Sequence, residues 1–178
     1  MHDRFCFLTI SVVLLLFAGP VGGPPAAGAE DTPFGTAQSV VEELYELVTF
    51  SPGKTPDWER VRDLFVDEAV IIIRTGLTEM SVFTVDGFVG DFVSFIERTN
   101  VEETGFIERI VRTKPLVFGD IAHILVLYEA EIPGSPRGPQ QGVDSFQLIR
   151  KDDRWWIASV VNEIPTPDRP VPEELQID

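Results

Sequence analysis

One histidine in an apolar stretch is the first residue of this chain that could do chemistry. His123 lies within Ile121-Ala122-His123-Ile124-Leu125-Val126-Leu127, and because imidazole titrates near neutrality, burial there would tune it as a pocket acid or base. The plainer reading, which a lone histidine favours, is a core side chain hydrogen-bonded to a neighbour such as Glu108 on the adjacent strand. Glu108 itself sits between Ile107 and Ile110. A carboxylate buried there is costly unless paired, and His123, Arg109 and Arg112 are its available partners; a functional acid and a structural charge both stay open for it. Asp144 opens a strand-like run and Glu129 closes one, positions where a solvated carboxylate is the usual explanation.

Other chemistry is excluded by what the chain lacks. It has no Gly-x-Ser-x-Gly elbow, no Gly-rich phosphate loop, no dinucleotide fingerprint and no His-Glu-x-x-His, which removes serine hydrolases, nucleotide enzymes and zinc proteases. Without a His/Cys cluster no metal is expected, and no cofactor either. In 178 residues, 29 Asp and Glu stand against 14 Lys and Arg, a formal charge of −15. That sign argues against nucleic acid and against anionic membrane surfaces as partners. The hydrophobic share of 44% nevertheless belongs to a folding chain and not to a disordered acidic one.

The elements that must position these residues begin after a leader. Residues 1–29 carry Arg4, an uncharged apolar run over 5–18, helix-breaking Gly19-Pro20, and the small-x-small triplet Ala27-Gly28-Ala29. This pattern predicts a signal peptide cleaved after Ala29, hence a periplasmic or secreted protein with no stable membrane anchor after cleavage. Cleavage removes Cys6, the only cysteine, so the exported chain must be held by its core without disulfides. Its net charge is unchanged, because Asp3 and Arg4 cancel, and no single acidic run forms, so the charge reads as a solubility feature.

Apolar residues recur at helical spacing over 36–50, with Ser39 and Glu42 as a prospective capping box, and again after Thr55-Pro56 through Trp58, Val61 and Phe65. Residues 69–75 read as a short buried strand, 76–83 have no clear period, and 86–100 return to a helical pattern through Phe88, Val89, Phe92 and Ile96. Four strand-like runs follow, over 104–117, 121–132, 142–151 and 155–164, joined by connections short enough for antiparallel hairpins. Pro165, Pro167, Pro170 and Pro172 then argue against regular structure in an acidic tail, 166–178.

Helices first and a meander last predict an α+β domain over 30–165. The 121–132 strand is apolar at both its even and its odd positions, so both sheet faces should be covered, one by the helices and the other by a second subunit in a homodimer. Adjacent Trp155 and Trp156 must point to opposite faces, and the outer one needs a cover. Aromatic residues are numerous enough to line an apolar cavity, although most aromatics at such spacings are core.

The order of elements resembles the nuclear-transport-factor-2-like (NTF2-like, SnoaL-like) superfamily, which includes ketosteroid isomerases and scytalone dehydratase. The local text agrees: Asp57-Trp58-Glu59 with Leu64-Phe65 and Ala69-Val70, Gly105-Phe106-Ile107-Glu108-Arg109, Gly119-Asp120-Ile121-Ala122-His123, and the paired segments Ser145-Phe146-Gln147-Leu148 and Arg154-Trp155-Trp156-Ile157. The resemblance implies a cone of three N-terminal helices on a curved, mostly antiparallel sheet, with a pocket at the open end. It also implies, for the enzymes of that group, a general base beside an apolar cavity and a donor aimed at a developing oxyanion. On this reading His123, Glu108 and Tyr128 are the catalytic candidates, and Tyr45, Trp58, Phe65, Phe92, Arg112 and Trp156 the ligand-binding ones. The expected function is binding of a small, largely apolar or aromatic molecule. A cofactor-free isomerase or dehydratase using a His/Glu pair, and an interaction module using the outer sheet face, are the alternatives.

Overall fold

The computed structural model describes residues 34–76 and 78–176; the expected signal peptide lies outside them. Helix α1 (Ala37–Val48) starts one turn earlier in its capping logic than the sequence pattern suggests. Thr36 is the N-cap and Ser39 completes a reciprocal capping box, the hydroxyl of Thr36 accepting from Ser39 N at 3.0 Å. Helix α2 (Trp58–Arg62) is capped by Asp57 and not by Thr55, because the Asp57 carboxylate reaches the Arg60 N–H at 3.1 Å. Strand β1 (Phe65–Arg74) begins before the expected 69. Strand β2 (Met80–Phe83), in the stretch without clear period, pairs antiparallel with β1. Helix α3 (Val85–Thr99), capped by Thr84, ends at Asn100 in the left-handed conformation, and the single turn α4 (Val101–Thr104) follows.

Strands β3 (Ile107–Phe118), β4 (Ile121–Glu131), β5 (Gln140–Lys151) and β6 (Arg154–Glu163) form the antiparallel meander. Asp152 and Asp153 both take positive φ (54° and 61°), which is what a two-residue hairpin turn matched to strand twist requires. The sheet order is β2-β1-β6-β5-β4-β3, and the β1–β6 pair is the parallel one. The fold class is α+β, as expected.

Alternation sorts the sheet into two faces. Ile71, Ile124, Val126, Phe146, Leu148, Ile157 and Val160 are buried in the main core together with Val40, Val41 and Leu44 of α1. Helices α1 and α3 cover this inner face. Trp155 is buried on it, whereas Trp156 points outward, stacked under the Arg154 guanidinium 3.7 Å from the ring centre. A second cluster gathers Phe50, Ile96, Val101 and Phe106. Here the positive φ of Gly105 is required as well as its missing side chain, since a Cβ would stand 2.8 Å from the Phe50 carbonyl.

The outer face departs from expectation. The proline-rich tail does carry regular structure: a 3₁₀ turn, Glu173–Leu175, lies against β3 and β4 with Leu175 fully buried. Proline lacks the donor for a ladder but keeps its acceptor, and the Pro172 carbonyl closes this turn by accepting from Leu175 N at 2.9 Å. The Arg112 side chain donates to the Gln176 carbonyl. Leu127, an outward residue of β4, is buried and belongs to neither helix-side cluster. The chain's own end therefore covers part of the face expected to need a partner. Val70, Val82 and Val161 of the outer face stay exposed, Val82 at 69%.

Candidate functional site

Between the inner sheet face and helices α1 and α3 lies a cavity of about 400 Å³, walled by apolar side chains including Leu44, Val48, Phe65, Ile71, Phe92 and Phe146. Its polar residues come mostly from one end of the sheet. β3 contributes Glu108 near its start, β4 contributes Tyr128 near its end, β5 opens with Asp144, and β6 closes with Asn162. Tyr45 reaches the same place from α1. Each inward position follows from strand period: Asp144 is two residues from buried Phe146, and Asn162 two from buried Val160.

These groups form a connected network. The Tyr45 hydroxyl donates to Asp144 Oδ2 at 2.6 Å, and the Asn162 amide donates to Asp144 Oδ1 at 2.8 Å and to the Tyr128 oxygen at 3.0 Å. Tyr128 thus receives a hydrogen bond and keeps its own proton for the cavity. Gly142, opposite Tyr128 across the ladder, makes room for the phenol; a Cβ there would stand 2.3 Å from it. The Glu108 carboxylate accepts no hydrogen bond among the described residues; only the backbone of Glu108 is bonded, to the Thr49 hydroxyl.

Burial separates the two acids. Removal from water, followed by the charge of Asp144, pushes Glu108 up to about 8. Burial also raises Asp144, to about 6, while the donors Tyr45 and Asn162 hold it down. Near pH 7 Glu108 is then mainly a neutral carboxylic acid and Asp144 mainly a carboxylate. Burial first, then the Asp144 charge, raises both Tyr45 and Tyr128, so both phenols stay protonated. One end of an apolar cavity therefore presents a neutral acid, a phenol proton and a carboxylate, the set that acid–base chemistry on an uncharged molecule needs.

The structure gathers some of the candidates from sequence and separates others. Glu108, Tyr128, Tyr45, Phe65 and Phe92 all line the cavity. Trp58 packs on Phe92, ring centres 5.4 Å apart, and stands behind the wall. Arg112 and Trp156 face outward, Arg112 beneath the tail and Trp156 with its indole N–H on the Lys151 carbonyl at 3.2 Å. His123 faces outward too, its Nε2 3.0 Å from the Ser145 hydroxyl. Its partner is thus a neighbour's hydroxyl and not Glu108, which points to the opposite face and lines the cavity. Glu129 pairs with Arg109. Asp144 is no solvated strand end but the centre of the network, and Asn162 was not singled out by the sequence. Among the described residues no three His, Cys, Asp or Glu side chains are placed to hold a metal ion.

No family model matches the chain, and no curated protein matches it. Solved structures do. An NTF2-like protein of unknown function from Pseudomonas putida superposes with a TM-score of 0.57 at 11% identity, over 79% of this chain and 93% of that one. An uncharacterised protein with a cystatin-like fold from Caulobacter vibrioides gives 0.56 at 13% identity, over 74% and 88%. A protein provisionally described as a scytalone dehydratase, from Novosphingobium aromaticivorans, gives 0.54 at 10%, over 72% and 81%. With its six-stranded curved sheet, its helices on one face and these neighbours, the chain has the NTF2-like, cystatin-like fold.

Proposed function

We propose that this protein binds a small, largely apolar molecule in the cavity, with the molecule's carbonyl or hydroxyl group turned toward Glu108, Tyr128 and Asp144. The observation that carries this reading is the pair of inward carboxylates without a cationic partner: no described Lys, Arg or His forms an ion pair with Glu108 or Asp144. A polar group left unsatisfied inside a fold costs stability, and such costs concentrate at functional sites. The cavity volume falls within the ~300–1,000 Å³ of small-molecule sites, and its walls are apolar with few convergent polar groups. Calorimetric titration with 2-naphthol or 2-naphthamide tests it. Binding that Phe92→Ala and Glu108→Gln weaken supports the reading, and absence of binding by either probe refutes it.

The divided protonation of the two acids favours a second reading, a cofactor-free isomerase or dehydratase. In it Asp144 takes a proton from carbon beside a carbonyl, and the oxygen, as it becomes anionic, is met by the protons of Tyr128 and Glu108. The fold neighbour provisionally described as a dehydratase fits this reading. Asp144→Asn should then abolish turnover while binding persists; turnover that survives it removes the reading. Export rests on the leader pattern alone. Association of two copies through the outer face rests on the exposed Val70, Val82 and Val161.

A further inference from the structure

Where β1 and β6 end, the cavity wall carries an arrangement of charge that proton transfer does not need. Arg74 closes β1 with a side chain only 10% exposed, and it pairs with Glu163: Nη2 donates to Oε2 at 2.7 Å, and Nε stands 2.5 Å from Oε1 as an ion-pair contact without hydrogen-bond geometry. Arg169, brought back by the Thr166–Arg169 turn, donates from Nη1 to the same Oε2 at 3.1 Å. The Ile164 N–H takes Oε1 at 2.9 Å. Three hydrogen bonds and the Arg74 Nε contact surround Glu163, and the hydrogen bond from Arg74 first of all holds it below the usual carboxylate range. Two guanidiniums against one carboxylate leave this triad one positive charge in a protein that carries −15.

The triad borders two chambers. Arg74 lines the apolar cavity on one side. On the other it lines a second chamber of about 330 Å³ together with Thr75, Gly76, Ile164, Thr166 and Arg169. Among the described residues no acidic side chain lines the second chamber; Glu79 stands near Gly76 outside its wall. Arg169 spends one of its five N–H donors on Glu163, so the rest of its fork remains available for an anion. Arg74, Thr75 and Ile164 are common to both linings, so the two spaces adjoin.

We propose that the second chamber holds a carboxylate of the ligand, whose apolar body fills the larger cavity, so that the protein's ligands are amphiphilic monocarboxylates. The inference rests on the binding reading above and narrows its ligand class. A planar fork partly shielded from water recognises a carboxylate by two parallel charge-assisted bonds, which a neutral amide of the same shape cannot reproduce. The field of the triad also draws the anion toward a surface that is repulsive elsewhere.

Calorimetric titration of the full chain with 2-naphthoate and with its neutral isostere 2-naphthamide separates the possibilities. The carboxylate is expected to bind roughly tenfold tighter or better, and the advantage shrinks as salt rises. Arg169→Gln, at a half-exposed side chain whose replacement spares the core, should erase most of that advantage while leaving the amide within about twofold. Glu163→Gln removes the competing charge and should tighten the carboxylate alone. Equal affinity of the two probes for the unmodified chain overturns the proposal but leaves the binding reading intact. An equal loss for both probes in Arg169→Gln assigns the triad a structural role and overturns it as well. If neither probe binds, the binding reading fails and takes this one with it.

Discussion

Replacing Glu108 by glutamine should make this protein more stable, and only above a definite pH. Held near 8 in the fold against 4.5 in an exposed chain, Glu108 binds more protons folded than unfolded between those values. Stability from this group is therefore complete below pH 4.5 and is lost as pH rises through 8. At 1.36 kcal/mol for each pH unit separating the two states, the loss reaches about 3 kcal/mol at pH 7 and about 5 above pH 8. Water entering the cavity reduces this, and about 2 kcal/mol at pH 8 is the smaller effect we expect. Glutamine has the same shape and cannot ionise, and among the described residues no hydrogen bond to the carboxylate is there to be lost. Melting curves of the two proteins, followed by tryptophan fluorescence, should coincide near pH 4.5. At pH 8 they should separate by about 4–8 °C, given the ~2–4 °C per kcal/mol of a domain this size. A variant that melts with or below the parent at pH 8 would refute the assignment of Glu108 as a buried, neutral acid.

Asn162→Leu withdraws one of the two donors that hold Asp144 down, so carbon-13 titration of the carboxyl should show it rising further, with a stability loss of about 1–3 kcal/mol in urea. His123→Ala should cost about 1 kcal/mol through the lost contact with Ser145 and leave naphthol titrations unchanged; a change in binding would bring the histidine back to the site. Leu175→Ala should cost about 2–4 kcal/mol, read by chemical unfolding, because the buried leucine anchors the tail on the sheet. A silent result would mean that the tail is not docked in solution.

The helices and the meander were legible because their periods are strong, as in Phe88, Val89, Phe92 and Ile96 on α3. The start of β1 was not, since Asp67 and Glu68 interrupt its apolar run and the ladder shifts register between Phe65 and Val70. The face of His123 is ambiguous because β4 is apolar on both sides, and part of the outward side is covered by a tail whose prolines read as irregular. Half of the site followed from Glu108, Tyr45 and Tyr128. The other half had a signal that strand alternation supplies: Asp144 shares parity with Phe146, and Asn162 with Val160, so both must face the core. That Tyr45 meets Asp144 is a tertiary fact, since α1 and β5 come from distant parts of the chain and nothing local couples them.

The parallel pairing of β1 with β6 has a kinetic meaning. Among the described strands the one latest in sequence, β6, sits between β1 and β5, and until it is inserted both present open edges. Closing the sheet joins segments far apart in sequence, a long-range loop whose entropy must be met before any of its contacts form. The sheet therefore cannot close until β6 has been made, and a chain cut short before β6 would keep two unpaired strand edges ready to join other molecules.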